Sequence, residues 1–213
     1  MEQGKTYALV GPTGGGKTTT AMLIARLYDP SEGDVLLHDK NIKLFEADER
    51  TKEIGFILQE PLLFSGTIKD NILYGNKAYQ EMDDNRFIEL LKAEGLDQLV
   101  NRFDEGLQTK VQAAGEGISL GQKQLIAFIR AVLRKPSLLI LDEATANIDT
   151  VTEQLLEEIL KKLPKSTTKV IIAHRLNTIE NADEIFFVNG GTLQTAGSLD
   201  NAIHMLLEGK RES

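Results

Sequence analysis

Gly11-Pro12-Thr13-Gly14-Gly15-Gly16-Lys17-Thr18 follows the apolar run Tyr7-Ala8-Leu9-Val10 and precedes residues 19–27, which carry a helical pattern. A strand, a turn of spacing G-x-x-x-x-G-K-T and a helix, in that order, make a cradle for phosphate. Glycines let the backbone wrap closely round an anion, so that several amide N–H groups point inward. The helix start adds its dipole. The candidate phosphate-binding residues are Gly11, Pro12, Thr13, Gly14, Gly15, Gly16, Lys17, Thr18 and Thr19. Lys17 is placed to bridge the β- and γ-phosphates of a nucleoside triphosphate, and the Thr18 hydroxyl to hold Mg2+. A glycine-rich loop alone is usually only a turn. Here strand, spacing, Lys-Thr and helix coincide.

The same rhythm recurs further along the chain. Leu138-Leu139-Ile140-Leu141 and Val170-Ile171-Ile172-Ala173 are short apolar runs. They read as parallel strands buried on both faces, which makes the fold class α/β. Ligands in such sheets bind beyond the carboxyl ends of the strands. The run at 138–141 leads into Asp142-Glu143. Asp142 suits Mg2+, commonly through water, and Glu143 suits a base that orients the attacking water. An isolated Asp-Glu pair is more often a strand end leaving into solvent; the phosphate loop upstream reverses that balance. Glu184-Ile185-Phe186-Phe187-Val188, then Asn189-Gly190-Gly191 and Thr192-Leu193-Gln194-Thr195, read as a hairpin. Between 76 and 135, Phe87, Ile88, Leu90, Leu91, Leu96, Leu99 and Val100 fall at helical spacing, with no clear strand signal before Leu138. This divides the chain into a core of residues 1–75 and 136–213 and an inserted helical subdomain of residues 76–135.

Composition narrows the function classes. The 213 residues carry a formal net charge of −8, which argues against non-specific nucleic-acid binding, since that needs a basic stripe. There is no cysteine, so thiolate catalysis, cysteine zinc sites and disulfides are excluded. No apolar run approaches the roughly 20 residues that span a bilayer, and the first residues lack a basic-then-apolar leader. Membrane association is expected only through a partner or through sequence outside this chain.

Four further segments resemble those of ATP-binding cassette domains, in that family's order. Phe56-Ile57-Leu58-Gln59-Glu60 resembles the glutamine loop, and Ile118-Ser119-Leu120-Gly121-Gln122 the signature motif, usually LSGGQ. Ala146-Asn147-Ile148-Asp149 resembles the loop that crosses the dimer interface, and Ala173-His174-Arg175 the switch-histidine segment. Residues 63–75 look like the exporter branch. The resemblance implies a P-loop NTPase (RecA-like) sheet with an inserted helical signature subdomain, binding ATP and Mg2+. It implies that Gln59 senses the metal and the water, that His174 contacts the γ-phosphate, and that Ser119, Gly121 and Gln122 bind the nucleotide of a second such domain. It also implies a transmembrane exporter domain as partner, no nucleic acid, and a place on the cytoplasmic face of a membrane. Family members carry antiparallel strands and an adenine-stacking aromatic before the phosphate loop. Ten residues precede Gly11 here, with Tyr7 inside the strand, so those strands are expected to be truncated.

The signature also has a physical logic. Ser119 can cap a helix, and Gln122 three residues later completes a capping box. The helix then offers its positive end to an anion. That anion is not easily the phosphate held by the same chain's loop, so a head-to-tail pair trapping two ATPs is expected. The family pattern is broken at Leu120, where a side chain replaces the first glycine and would hinder close approach or a glycine-only dihedral. An asymmetric heterodimer follows as the favoured expectation; the alternative is a tolerated variant in a homodimer. Rival functions are a soluble cassette ATPase of DNA repair or translation, and a nucleotide-gated binding module with no meaningful turnover.

Overall fold

A computed structural model describes residues 1–142, 148–172 and 179–209. The chain forms two compact units. The first comprises Met1–Phe56, Pro136–Glu143 and Lys165–Ser213; the second comprises Ile57–Lys135 and Ala144–Pro164.

The first unit is built on a six-stranded sheet of order β10-β9-β1-β8-β7-β4. Its strands are β1 (Thr6–Val10), β4 (Ile54–Ile57), β7 (Leu138–Asp142), β8 (Thr168–Ile172), β9 (Glu184–Asn189) and β10 (Thr192–Thr195). β1 runs parallel to β8 and β9, β7 runs parallel to β8, and β10 is antiparallel to β9. The mostly parallel mixed sheet agrees with the expected fold class. Its sequence cause lies in the alternation within continuous apolar runs. Tyr7 and Leu9 join one core cluster with Ile140 and Val170, while Ala8 and Val10 join another with Ile185 and Phe187. Both faces are thus covered, as a parallel sheet demands, and each such buried aliphatic side chain contributes about 1.5–3 kcal/mol. Tyr7 is 1% exposed and stacks on Phe186 with ring centroids 5.8 Å apart. The register sets Leu9 against Ile172 and Ile172 against Asp142. The ends of β1, β8 and β7 therefore lie side by side.

The hairpin between β9 and β10 turns at Gly190 (φ +55°) and Gly191 (φ +78°), the two left-handed residues that a type I′ turn requires. Helix α1 spans Lys17–Ile24, against an expectation of residues 19–27. It starts earlier because Gly16, with φ +107°, already serves as its N-cap. It ends earlier because Arg26 turns left-handed at φ +53°. The Leu27 N–H then donates to the Met22 carbonyl at 2.8 Å, a Schellman closure with arginine where glycine is usual. The Arg26 guanidinium holds this turn by donating to the Ile42 and Lys43 carbonyls, each at 3.1 Å.

The second unit is mainly helical, with α3 (Ile68–Leu73), α4 (Asp84–Ala93), α5 (Asp97–Val100), α6 (Leu120–Val132) and α7 (Thr150–Lys162). Phe87 and Leu91 bury one face of α4, and Leu96, Leu99 and Val100 are also buried, matching the helical spacing. One expectation fails here. Lys110–Val111 form β6, which pairs antiparallel with β5 (Gly66–Thr67). A two-residue ladder is too short to leave a period in the sequence.

Candidate functional site

The phosphate loop leaves β1 at Gly11, where φ is +152°. A Cβ at Gly11 would lie 2.0 Å from the Val188 carbonyl oxygen, and one at Gly15 2.7 Å from the same atom. β9 thus crowds the loop so closely that side chains have no room there. Gly14, at φ +79°, stands in open space and needs glycine for its dihedral alone. The Gly15 N–H donates to the Pro12 carbonyl at 3.1 Å, closing the turn. Thr13, Gly14 and Thr19 are exposed.

Lys17 opens α1 and is only 6% exposed. Its Nζ donates to the carbonyls of Gly11 and Pro12, both at 2.9 Å, so the ammonium sits within the curl of the loop. The Thr18 hydroxyl donates to Asp142 Oδ1 at 3.3 Å, and Asp142, ending β7, is 2% exposed. Gly11, Lys17, Thr18 and Asp142 are therefore brought together as the sequence suggests. The donor set fits a triphosphate with Mg2+: an ammonium, a helix start, a hydroxyl and one hard carboxylate. Among the described residues no group of three or more His, Cys, Asp or Glu side chains could hold a metal ion.

The second unit holds the remaining described candidates. Gln59 is exposed, and its carbonyl accepts from Gln124 Nε2 at 3.1 Å. Ser119 is the N-cap of α6: its Oγ accepts from the Gln122 N–H at 3.2 Å, while Gln122 Oε1 accepts from the Ser119 N–H at 3.0 Å. The capping box is thus formed. Leu120 lies inside α6 and is absent from the residues with positive φ. The glycine-only dihedral expected at this position is therefore corrected: the first helical residue accepts any side chain, and only close approach remains at issue.

Ser119, Gly121 and Gln122 line a cleft of about 430 Å3 with Arg102, Leu125, Ile148, Asp149 and Thr152. The signature segment and the Ile148-Asp149 segment thus meet. Asp149 caps α7, accepting from the Thr152 N–H at 3.0 Å and the Thr152 hydroxyl at 2.6 Å. The hydroxyl first, then the amide, hold its carboxyl below the usual carboxylate range. Arg102 and Thr152 were not singled out from sequence. The Asp149-x-x-Thr152 spacing is a capping signal; Arg102 belongs to no motif. Glu143, Ala146, Asn147, Ala173, His174 and Arg175 lie outside the described residues.

A strand-loop-helix phosphate cradle at the carboxyl edge of a mostly parallel sheet, with a buried aspartate at the end of the next strand but one, defines a P-loop NTPase core. A family model described as ABC transporter matches residues 1–146. The chain is 46% identical over 200 residues to the uncharacterized ABC transporter ATP-binding protein YfiC of Bacillus subtilis, covering 94% of this chain and 33% of that protein. It is 42% identical over 197 residues to the fatty acid ABC transporter ATP-binding/permease protein of Mycobacterium bovis, covering 92% of this chain and 31% of that one. The structure of a bacterial Atm1-family ABC exporter with ATP bound superposes with a TM-score of 0.80 at 31% identity, covering 97% of this chain and 35% of that chain. The chain belongs to the ABC transporter family, as an ATP-binding domain of the exporter type. It spans about a third of the length of these relatives.

Proposed function

We propose that this chain hydrolyses ATP as one half of a nucleotide-sandwich dimer and so powers a membrane exporter from the cytoplasmic face. The observation that carries this is the convergence of Lys17, Thr18 and Asp142 on one loop, together with a separate, capped anion-seeking helix start at Ser119. Lys17 would exchange the Gly11 and Pro12 carbonyls for β- and γ-phosphate oxygens. Thr18 and Asp142 would hold Mg2+, which neutralises phosphate charge as the leaving group departs. Glu143 orients the attacking water, with Gln59 and His174 completing the site. Ser119, Gly121 and Gln122, from residues 76–135 acting as a signature subdomain, bind the γ-phosphate held by a second nucleotide-binding domain. Charge-assisted bonds of about 1.5–3 kcal/mol each hold the closed pair, and hydrolysis removes them.

No described helix is long and apolar enough to cross a membrane, so anchoring would come through a transmembrane partner or fused domain. The favoured partner is a non-identical domain, because Leu120 replaces the first glycine of this chain's signature. In that arrangement the residues from Gly11 to Thr19, Asp142 and Glu143 form the turnover site with an intact partner signature. Phosphate release should rise more than linearly with chain concentration, or on adding a partner domain, and fall to background in Glu143→Gln. Near-full residual turnover in Glu143→Gln, or a rate per chain that ignores concentration and partner alike, would overturn the proposal.

A further inference from the structure

The cleft at the start of α6 contains a cation that the sandwich scheme does not use. Arg102, on the turn after α5, lines it together with Ser119, Gly121 and Gln122. Its side chain is exposed, and among the described residues no hydrogen bond or ion pair engages the guanidinium. The acid in the same cleft, Asp149, accepts from Thr152 with both oxygens and offsets the positive end of α7, so the Arg102 charge adds only a lesser pull on its carboxyl and no hydrogen bond to it. In the same cleft the capping box already satisfies the Ser119 and Gln122 amides. That leaves the Leu120 and Gly121 amides, which have no acceptor one turn back in the helix. Leu125 and Ile148, both buried, give the cleft an apolar side.

We propose that Arg102 is a binding residue of this cleft, donating to a phosphate oxygen of the nucleotide carried by the facing domain. This rests on the sandwich reading and deepens it. A guanidinium offers paired donors that match phosphate, where an ammonium offers a point charge. Leu120 is not among the residues that line the cleft with Arg102. The signature with an altered glycine therefore retains a grip on nucleotide through a residue 17 positions upstream of Ser119. This suits a site that holds ATP more than it turns it over.

The test is the ATP concentration for half-maximal dimer formation, measured by analytical ultracentrifugation in the Glu143→Gln background with Mg2+, with and without a partner domain. Arg102→Ala is expected to raise that concentration about tenfold, and Arg102→Lys by less. Monomer affinity for ATP by calorimetry, which reports the Lys17 loop, should not change. The Arg102→Ala defect should shrink in raised salt as the wild type weakens toward it. Ser119→Arg is the control for the underlying reading. If Ser119→Arg blocks dimers while Arg102→Ala leaves the midpoint within twofold of wild type, the role of Arg102 is refuted and the sandwich stands. If Ser119→Arg dimerises normally, or no ATP-dependent dimer forms under either condition, both fall. A drop in melting temperature that follows the dimer defect equally in Arg102→Ala and Arg102→Lys would assign Arg102 to folding and overturn the proposal.

Discussion

Substituting alanine for the loop glycines one at a time separates steric from conformational demand. At Gly11 the new Cβ would sit 2.0 Å from the Val188 carbonyl oxygen, against a practical floor of 3.0 Å, so β9 or the loop must retreat by at least about 1 Å. Overpacking of this kind costs about 1–3 kcal/mol. The retreat also strains the β1–β9 ladder where Val10 faces Phe187, with about 1 kcal/mol at stake per hydrogen bond. A total of about 2–4 kcal/mol follows, which lowers the melting temperature by roughly 10 °C in a chain of this size. At Gly14 nothing lies within 4 Å, and only the left-handed backbone at φ +79° counts, about 1–2 kcal/mol or roughly 4 °C. Gly15→Ala, with contacts of 2.7 and 3.0 Å to carbonyl oxygens, should fall between them. Thermal unfolding followed by circular dichroism gives the order, and calorimetry gives ATP affinity in each variant. A Gly11→Ala melting temperature within about 2 °C of wild type, or a larger loss at Gly14 than at Gly11, would refute the packing argument.

Thr18→Val should weaken ATP binding in the presence of Mg2+ by about tenfold, roughly one charge-assisted hydrogen bond, and leave binding in EDTA nearly unchanged; calorimetry in both buffers decides. Arg130 donates from Nε to the Asn71 carbonyl at 2.7 Å and from Nη1 to the Leu62 carbonyl at 3.3 Å. Burial, then the neighbouring Arg134 cation, lower its pKa to about 10. Lysine cannot reproduce that fork, so Arg130→Lys should cost about 2 kcal/mol in the urea midpoint, and an unchanged midpoint would show that the fork is dispensable. Asp149, with a carboxyl held low by Thr152, contributes stability that is complete above the unfolded pKa of about 3.9. That contribution is lost as pH falls through the still lower folded value. Thr152→Val should therefore be less stable than wild type at pH 7, with a gap that closes in acid. Urea midpoints across pH check this, and a gap independent of pH would contradict the assignment.

Much of the nucleotide cradle was legible because its chemistry is local. The apolar runs at 7–10, 138–141 and 170–173 announced strands, and the spacing of Gly11, Gly16, Lys17 and Thr18 announced the loop between strand and helix. The Ser119–Gln122 capping box was equally local and is formed as read. What escaped depends on tertiary contacts or on weak signals. The early end of α1 hangs on Arg26 taking a left-handed turn, a conformation sequence assigns to glycine, and carbonyls of residues 42 and 43 hold it there. The β5–β6 ladder has two residues a side and no alternation to detect. Arg102 reaches the signature cleft only through the fold of the second unit. Leu120 was misread in one respect, since a motif glycine need not mark a glycine dihedral.

The doubly tied start of α6 bears on how nucleotide can act there. Because Ser119 and Gln122 hold each other in place, this helix start is set before any ligand arrives. In the proposed sandwich, capture would then involve little freezing of loose chain, and the free energy released on contact would be available for drawing two domains together. A motor part of this kind behaves less like a clay mould than like a machined socket, transmitting load without first absorbing it.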